Sequence, residues 1–412
     1  MGYFKDTIKG FSWLIGFRGF SRLMTFLRTI ILARILLPAQ FGVYGVAVMV
    51  LAFLEIITET GINIFLVQEK KEIDEYLDTA WIISIFRGII VALLIILTAP
   101  FIVSFFKVPA VKPLLYLVSL VAVIRGFINP SIVKFQKDLK FNKYFWFRSS
   151  IIFVETLTVI LLAVITKSTA SLVIGLIAGS LLEVIFSLVF ISPRPKFILK
   201  LKQLKTIVSQ GKWITFAGIF NYLSSQGDDA VVVKILNTTS LGFYQMAFKL
   251  STLPVSEVGN VVGKVTFPVY VKIAQDKKRL KRAYLKTLFT ITSLVIPLGM
   301  LLYFFPEKII SVVLGNNWLA AAPALRVLAL YGVIRAISGS AYSLFLSLKK
   351  QKLITLITFV RLIILAIFII PLTLKQGIIG AAQACLISVI IPLPVVFINV
   401  ARVLNVKVKN KH

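Results

Sequence analysis

Four arginines lie within one apolar stretch near the amino terminus, residues 16–47. They are Arg18, Arg22, Arg28 and Arg34. A charged side chain near the centre of a bilayer costs at least roughly 3 kcal/mol on insertion scales, and such residues usually line a water-filled cavity or bind an ion. A guanidinium group binds phosphate through parallel hydrogen bonds. The stretch therefore predicts a cavity that binds an anion, with phosphate or pyrophosphate as the obvious head group.

The four arginines differ in their expected depth. A first helix over residues 11–37 is about 40 Å long at 1.5 Å per residue. Arg18 and Arg34 then lie near its two ends, where long side chains reach the interface. Arg22 and Arg28 lie deep, and they point about 120° apart on a straight helix. They can meet one pyrophosphate only if the helix bends or the cavity wraps around it.

Further ionisable residues inside the apolar runs are candidates for function on the same argument. Arg87, Arg125 and Arg335 are the further basic candidates for the cavity, although Arg125 and Arg335 could instead pin equivalent helix ends. Arg361 and Lys264 fit structural ion pairs or side chains that reach the interface. The other ionisable residues noted in these runs are Lys234, Lys249, Glu155, Glu183 and Glu257.

Two pairs of carboxylates are candidates for ion coupling. Glu55 and Glu59 are four residues apart and therefore share one face of the second helix. Asp228 and Asp229 are adjacent in the seventh helix. A carboxylate in an apolar site can carry a coupling proton, and a cluster of oxygen atoms can hold Na⁺. The alternative is that these carboxylates pair with the arginines. No cofactor other than H⁺ or Na⁺ is predicted.

The composition predicts an all-α, polytopic membrane protein. Of the 412 residues, 58% are hydrophobic, and apolar runs of about 20 residues, long enough to cross a hydrocarbon core, recur along the chain.

The formal net charge is +30, but no compact basic domain is present, so nucleic-acid binding is not expected. The only histidine is His412, which argues against histidine-based catalysis or metal binding. The twelve predicted transmembrane helices are residues 11–37, 41–68, 78–106, 112–135, 144–166, 170–192, 211–236, 241–271, 283–314, 322–347, 353–374 and 378–402.

The charges of the loops predict the orientation of the chain. Loops on one side hold most of the lysines and arginines, beginning with residues 5–9. The other side holds only Lys107, Lys112, Lys167 and Lys375. By the positive-inside rule, both termini are predicted to be cytoplasmic. The expected location is the cytoplasmic (inner) membrane. The first apolar run is expected to stay as an uncleaved helix, because it is too long for a signal peptide and lacks a small-residue cleavage site.

The two halves of the chain resemble each other. A shift of 200 residues places Trp13 on Trp213, and a shift of 210 residues places Arg125 on Arg335. Six helices in each half give both halves the same orientation, as in transporters built from parallel repeats. The repeat predicts two pseudo-symmetric six-helix bundles around a central cavity.

The predicted bundles are residues 1–192 and 211–412. Between them lie residues 193–210, and within this connection residues 197–208 alternate lysines with apolar residues at helical spacing. Such a segment is expected to lie on the cytoplasmic leaflet, where lysines meet anionic lipid. We therefore predict an amphipathic linker between two membrane bundles.

Short motifs occur in the same order in both halves. They are residues 33–36, 41–44 and Ala47 in the first half, and Asp228, residues 233–236, 241–244, Ala247, 253–254 and 267–268 in the second. With these motifs the chain resembles the polysaccharide flippases of the multidrug/oligosaccharidyl-lipid/polysaccharide exporter superfamily, over nearly its whole length. Residues 20–35 are also similar to the first helix of the lipid II flippases.

The resemblance implies the transport of a lipid-linked sugar. A polyprenyl-pyrophosphate-linked oligosaccharide, the repeat unit of a surface polysaccharide, would be moved from the cytoplasmic to the outer leaflet by alternating access. The partners would be this substrate, the lipid bilayer and the polysaccharide polymerase machinery. Arg22 and Arg28 match the arginines that handle the pyrophosphate in the lipid II flippases.

Two other functions remain open from the sequence. The first is a cation-coupled multidrug exporter of the same superfamily, although the arginines argue against an acidic cavity for cationic drugs. The second is a membrane-embedded glycosyl- or acyltransferase. The chain shows no polar catalytic loop and no phosphate-cradling glycine loop, so we predict that it is not an enzyme.

Overall fold

The computed structural model describes residues 2–59, 61–62, 66 and 74–405. Every regular element within these ranges is helical, which confirms the all-α class. The chain divides into two compact units, Met1–Gly227 and Asp228–His412. This division lies between Gly227 and Asp228 and not in the predicted linker. The two bundles at residues 1–192 and 211–412 stay a prediction.

In the described part of the chain, the N-terminal unit contains six helices and most of a seventh. Pro38 opens α2 at its first turn, where its fixed φ fits the helix and its missing N–H is not needed. Lys167, with φ 48° and ψ 28°, ends α5 in the left-handed conformation. The helices are α1 (Gly2–Ile35), α2 (Pro38–Ile57), α3 (Asp74–Phe106), α4 (Val111–Gly126), α5 (Phe141–Thr166), α6 (Ala170–Phe190) and α7 (Leu201–Ile235), with short turns at Pro130–Val133 and Lys134–Lys137.

The predicted linker and the predicted fourth span differ from the observed helices. The helix α7 begins at Leu201, so the second half of the predicted linker is the start of this helix. The predicted fourth span, residues 112–135, ends as a helix at Gly126, and the chain then bends by 71° into the turns at 130–137. Buried Asn129 holds the bend, because its side-chain amide donates to the carbonyl groups of Ser187, Ile191 and Pro193 at 3.1–3.2 Å.

Close helix packing in the N-terminal unit brings α3 against α4. A Cβ atom at Gly88 would lie 2.5 Å from the carbonyl oxygen of Ala122, and one at Gly126 would lie 2.9 Å from that of Ser84. Glycine is therefore required at this crossing. The arginines next to the two glycines, Arg87 and Arg125, are thereby placed side by side on neighbouring helices.

The C-terminal unit starts in the last turns of α7. The side chain of Asn237 caps α8 by accepting from the Ser240 N–H at 2.8 Å, and that of Asp276 caps α9 by accepting from the Arg279 N–H at 3.0 Å. The helix α11 is broken at Gly377, where φ is 59° and ψ is −137°. The elements are α8 (Thr238–Lys272), α9 (Lys277–Phe304), α10 (Ala322–Ser347), α11 (Gln351–Ile390) and α12 (Leu393–Asn405), with short helices at Pro306–Val313 and Asn316–Ala321.

The helix α10 is central to this unit, because it packs against α8, α9 and α11. Gly332 allows its close approach to α8, since a Cβ atom there would lie 2.9 Å from the carbonyl oxygen of Ser251. Val255 of α8, Ile291 and Val295 of α9 and Ala336 of α10 form one buried apolar cluster. The face of α10 that this packing leaves open carries the polar residues described below.

Seven helical segments of the described residues are long and apolar enough to cross a membrane, or eight if the bent segment after Val111 counts as one span. Large apolar side chains are exposed along them, such as Leu97, Phe101, Ile165 and Phe289, as expected for surfaces that face hydrocarbon. The protein is therefore a multi-pass integral membrane protein. The helices α1, α7 and α8 are not among the seven, so the count of twelve spans and the pseudo-symmetry stay predictions.

Candidate functional site

The N-terminal unit contains a cavity of about 390 Å³ in which charges of both signs meet. Four of the ten predicted site residues line it, and a further arginine and glutamate join them. The charged residues that line it are Glu55, Glu59, Arg87, Arg125, Arg148 and Glu183.

Each arginine of this cavity pairs with one of its glutamates. Arg125 contacts Glu55 at 3.1 Å, and Arg87 contacts Glu59 at 3.1 Å. Arg87 also donates to the backbone carbonyl of Glu55 at 2.6 Å. Glu55 and Glu59 thus face the arginines, as the alternative interpretation of these carboxylates expected. Pairing offsets part of the cost of holding a charge away from water.

The third pair, Arg148 with Glu183, links α5 to α6 at 2.6 Å. The guanidinium of Arg148 also lies 5.8 Å from the ring centres of Tyr144 and Phe147, which adds cation–π attraction. Sequence reasoning missed Arg148, although an arginine inside the predicted fifth span carries the same signal as the arginines that it singled out.

The arginines of α1 lie outside this cavity. Arg28 forms an ion pair with Glu155 of α5, and both side chains are about three-quarters buried. Arg18 and Arg22 are exposed on α1. Because α1 is one helix from Gly2 to Ile35, Arg22 and Arg28 stay on different faces, and Arg28 already has a carboxylate partner.

The C-terminal unit contains a larger cavity, of about 780 Å³. Arg335 of α10 and Arg361 of α11 both line it. Both donate to the hydroxyl group of buried Tyr331, at 2.9 and 3.0 Å. Their guanidinium carbons lie 5.7 and 5.9 Å from the centre of the Tyr331 ring. Sequence reasoning proposed Arg335 but assigned Arg361 a structural role, because no sequence signal shows that both arginines reach one tyrosine.

Asp228 and Asp229 are buried in the C-terminal unit and do not line its cavity. Asp228 accepts hydrogen bonds from the Tyr244 hydroxyl at 2.6 Å and from the Cys385 thiol at 3.4 Å. Asp229 accepts one from the Gln245 amide at 2.7 Å. Among the described residues, no three His, Cys, Asp or Glu side chains are grouped closely enough to hold a metal ion.

Fold and cavities together define a multi-pass membrane protein that holds arginines in cavities between apolar helices. A family model described as "Polysaccharide biosynthesis protein" matches residues 31–323, more than half of the chain. The chain belongs to this family of polysaccharide biosynthesis proteins. The resemblance indicated by the short motifs is thereby confirmed.

Two curated membrane-protein and polysaccharide-biosynthesis relatives have similar sequences. An uncharacterized membrane protein in the cps region of Klebsiella pneumoniae is 27% identical over 366 residues, which cover 88% of this chain and 75% of the relative. The lipopolysaccharide biosynthesis protein WzxC of Escherichia coli strain K12 is 24% identical over 319 residues, which cover 77% of this chain and 65% of the relative. The chain thus spans three-quarters of the first relative and slightly less than two-thirds of the second.

Solved structures of transporters share the fold. The lipid II flippase MurJ in its inward closed conformation has a TM-score of 0.76 at 19% identity, with 95% of this chain and 87% of that chain covered. An inward-facing multidrug resistance MATE family transporter of the MOP superfamily has a TM-score of 0.68 at 14% identity, with 94% and 96% covered. At these identities the likeness concerns the fold alone.

Proposed function

We propose that this chain is a flippase. It would translocate a polyprenyl-pyrophosphate-linked oligosaccharide, the repeat unit of a surface polysaccharide, from the cytoplasmic to the outer leaflet. The observation that carries this proposal is that cavities between helices of a membrane protein contain arginines, five of them in the two cavities described above. Arginine is the side chain best suited to recognise phosphate groups.

The family and the names of the relatives support this substrate class. The family description concerns polysaccharide biosynthesis, one relative is named for lipopolysaccharide biosynthesis, and a structure with the same fold is that of a lipid II flippase. A pyrophosphate bridge between a lipid and a sugar is the part of such a substrate that arginines can bind. We infer that the protein acts by transport rather than as an enzyme.

The proposed location is the cytoplasmic (inner) membrane, with both termini in the cytoplasm. The loop charges support this orientation. The partners in the proposal are the lipid-linked oligosaccharide, the bilayer and the machinery that polymerises the translocated units. Alternating access of two bundles stays part of the proposal, as do their boundaries.

Ion coupling is a separate part of the proposal. Asp228 is the better candidate for carrying H⁺ or Na⁺, because its hydrogen bonds come from a hydroxyl and a thiol, whereas Glu55 and Glu59 already pair with arginines. If Asp228 carries the ion, Asp228→Asn should make transport in proteoliposomes insensitive to an imposed pH or Na⁺ gradient. Transport by Asp228→Asn that still follows the gradient would contradict this role.

The test of the flippase proposal is deletion of the protein in the cell that makes it. We expect surface polysaccharide to be lost and one lipid-linked precursor to accumulate in the cytoplasmic leaflet, and we expect the intact chain to restore both. Altered drug resistance with intact surface polysaccharide would reject the flippase and favour a multidrug exporter. Consumption of an activated sugar or acyl donor by the purified protein would favour a transferase.

A further inference from the structure

Arg335 and Arg361 come close together, and no acidic side chain among the described residues pairs with either of them. Both donate to the same hydroxyl oxygen of Tyr331, so the bonded nitrogens are no farther apart than the sum of two hydrogen-bond lengths. Two like charges at this distance repel each other, and a bound anion removes the repulsion.

The wall of the C-terminal cavity differs in charge from that of the N-terminal cavity. Its described lining contains two arginines and no acidic residue. The lining of the N-terminal cavity contains three arginines and three glutamates, all of them paired. A dianion is therefore attracted to the C-terminal cavity, whereas in the N-terminal cavity it has to displace a carboxylate.

The internal repeat explains where the difference arises. The shift of 210 residues that places Arg125 on Arg335 keeps the arginine in both halves. The shift of 200 residues places Glu55 on Val255, and the same shift places Glu59 on Gly259. Val255 and Gly259 both line the C-terminal cavity. The second half thus has the arginine but lacks a carboxylate at the position of Glu55, which pairs with Arg125, and at the position of Glu59, which pairs with Arg87.

The cavity also has space and donors for a ligand. A guanidinium group has five N–H donors, and the bond to Tyr331 uses one of them in each arginine. Cβ atoms at Gly259 and Gly339, which line the cavity, would meet nothing within 4 Å. Arg335 is exposed in the cavity and Arg361 is half-buried. The remaining N–H groups can bind phosphate oxygens in parallel pairs.

We propose that Arg335 and Arg361 form a binding site for a pyrophosphate group in the C-terminal unit, with Tyr331 as the positioning residue that holds both guanidinium groups. The chemistry of the ligand follows from the two arginines. Only its source, the head group of a lipid-linked sugar rather than a soluble pyrophosphate, rests on the proposed function.

Binding to the whole protein tests this site. The protein is purified and placed in bilayer discs of phosphatidylcholine, which has no net charge, and titrated with farnesyl pyrophosphate and with inorganic pyrophosphate. We expect Arg335→Gln and Arg361→Gln each to weaken binding about tenfold or more, since each removes bonds between charged groups. Tighter binding of the prenylated probe supports a lipid head group, and equal binding supports a soluble anion; both outcomes support the site.

Arg326→Gln is the matched control. Arg326 lies on α10 and is exposed, as Arg335 is, but it lies outside the cavity and pairs with Glu307 at 3.0 Å. Its loss should leave both affinities unchanged. Unchanged affinity in both cavity variants, or an equal loss in Arg326→Gln, overturns the proposal. If the glutamine variants fail to fold, Arg335→Lys and Arg361→Lys are measured instead, because lysine keeps the charge but cannot form the parallel hydrogen bonds. Unchanged affinity in both lysine variants would also overturn the proposed site.

The failure of the site and the failure of the flippase proposal give different results. If the protein flips the lipid-linked sugar and the arginine variants bind both probes normally, the site is wrong and the flippase proposal stands. If the wild-type chain binds pyrophosphate through the two arginines but deletion leaves surface polysaccharide intact, the site stands and the flippase proposal is wrong. Tyr331→Phe adds an independent readout, since loss of the shared hydroxyl should weaken binding while both charges remain.

Discussion

At the scale of single residues, four arginines of the N-terminal unit form ion pairs with glutamates. Arg28, Arg87, Arg125 and Arg148 each contact a glutamate on a different helix or a helix end. An unpaired charge in such surroundings is costly, while removal of one partner leaves the other charge without compensation. Loss of one partner in any of these pairs should therefore destabilise the helix packing. An anion that enters the N-terminal cavity competes with the carboxylates that line it.

The pair between Arg125 and Glu55 allows a direct test of structure against function. Arg125→Gln should destabilise the protein by about 1–3 kcal/mol, because Glu55 loses its charged partner. Glu55→Gln in the same chain should restore much of this loss. Thermal unfolding of the two single variants and the double variant in detergent measures the coupling. Additive losses in the double variant would show that the pair contributes nothing.

Arg22 and Arg28 are tested by export. We expect Arg22→Ala and Arg28→Ala each to abolish export of surface polysaccharide while the protein still inserts, because the sequence predicts that both arginines lie deep in the membrane. Arg34→Ala, near the expected outer interface, is the control and should retain export. Wild-type export by both deep variants would reject their role.

A double variant distinguishes a role of Arg28 in substrate handling from its ion pair with Glu155. In the double variant Arg28→Ala, Glu155→Gln, no charge is left without its partner. If Arg28 handles the substrate, this variant still fails to export. Recovered export would mean that Arg28 serves only to neutralise Glu155.

The sequence predicted the types of the site residues better than their partners. Arg87, Arg125 and Arg335 do line cavities. A charged side chain within an apolar run is costly in hydrocarbon and therefore usually faces a cavity or the interior of the helix bundle. Their partners could not be predicted, since Glu55 and Arg125 are 70 residues apart in sequence and meet only through helix packing. Arg361 was assigned a structural role for the same reason.

At the scale of helices, glycines set the distances on which the cavities depend. Gly88 and Gly126 bring α3 against α4, and Gly332 brings α10 against α8. Arg87 lies directly before Gly88, and Arg335 lies three residues after Gly332. A change at such a glycine should therefore shift an arginine as well as the helix that carries it.

Two glycines of α10 make a matched pair for this effect. Gly332→Ala should destabilise the protein by about 1–3 kcal/mol, since its Cβ would lie 2.9 Å from a backbone oxygen of Ser251 and the helices must separate. Gly339→Ala, where a Cβ meets nothing within 4 Å, should be neutral or gain up to about 1 kcal/mol of helix propensity. Thermal unfolding compares the two variants, and equal effects would contradict this account of the crossing.

Helix boundaries were predictable where the repeat applies. The helix α1 ends at Ile35 and α7 at Ile235, and the next helices begin at Pro38 and Thr238, all at the predicted shift of 200 residues. The bend after Gly126 was not predicted, because it depends on hydrogen bonds from Asn129 to carbonyl groups about 60 residues further along the chain. Apolar periodicity contains no information about such contacts.

At the scale of the whole molecule, the class of protein was predictable from composition and motif order. The length and apolar character of the helical segments confirm the membrane class, and the family match confirms the resemblance. The number of membrane crossings stays a prediction, because α1, α7 and α8 carry more polar residues than a typical span and are not identified as spans by apolar length alone.

The predicted orientation is tested by the labelling of single cysteines. The native Cys385 is 3% exposed and should not react. We expect a membrane-impermeant maleimide to label Lys112→Cys in intact cells and Lys137→Cys only after permeabilisation, since both positions are exposed and lie on opposite predicted sides. The reverse pattern would contradict the assignment of both termini to the cytoplasm.

The two cavities also differ in how they respond to the membrane voltage. Three ion pairs leave the N-terminal cavity without net charge, so the field across the bilayer does no net work on it. Arg335 and Arg361 carry two positive charges, and each charge that crosses the field corresponds to about 2.3 kcal/mol per 100 mV. A bound pyrophosphate cancels these charges. In an alternating-access cycle, the voltage would then act on the empty C-terminal cavity and hardly at all on the loaded one.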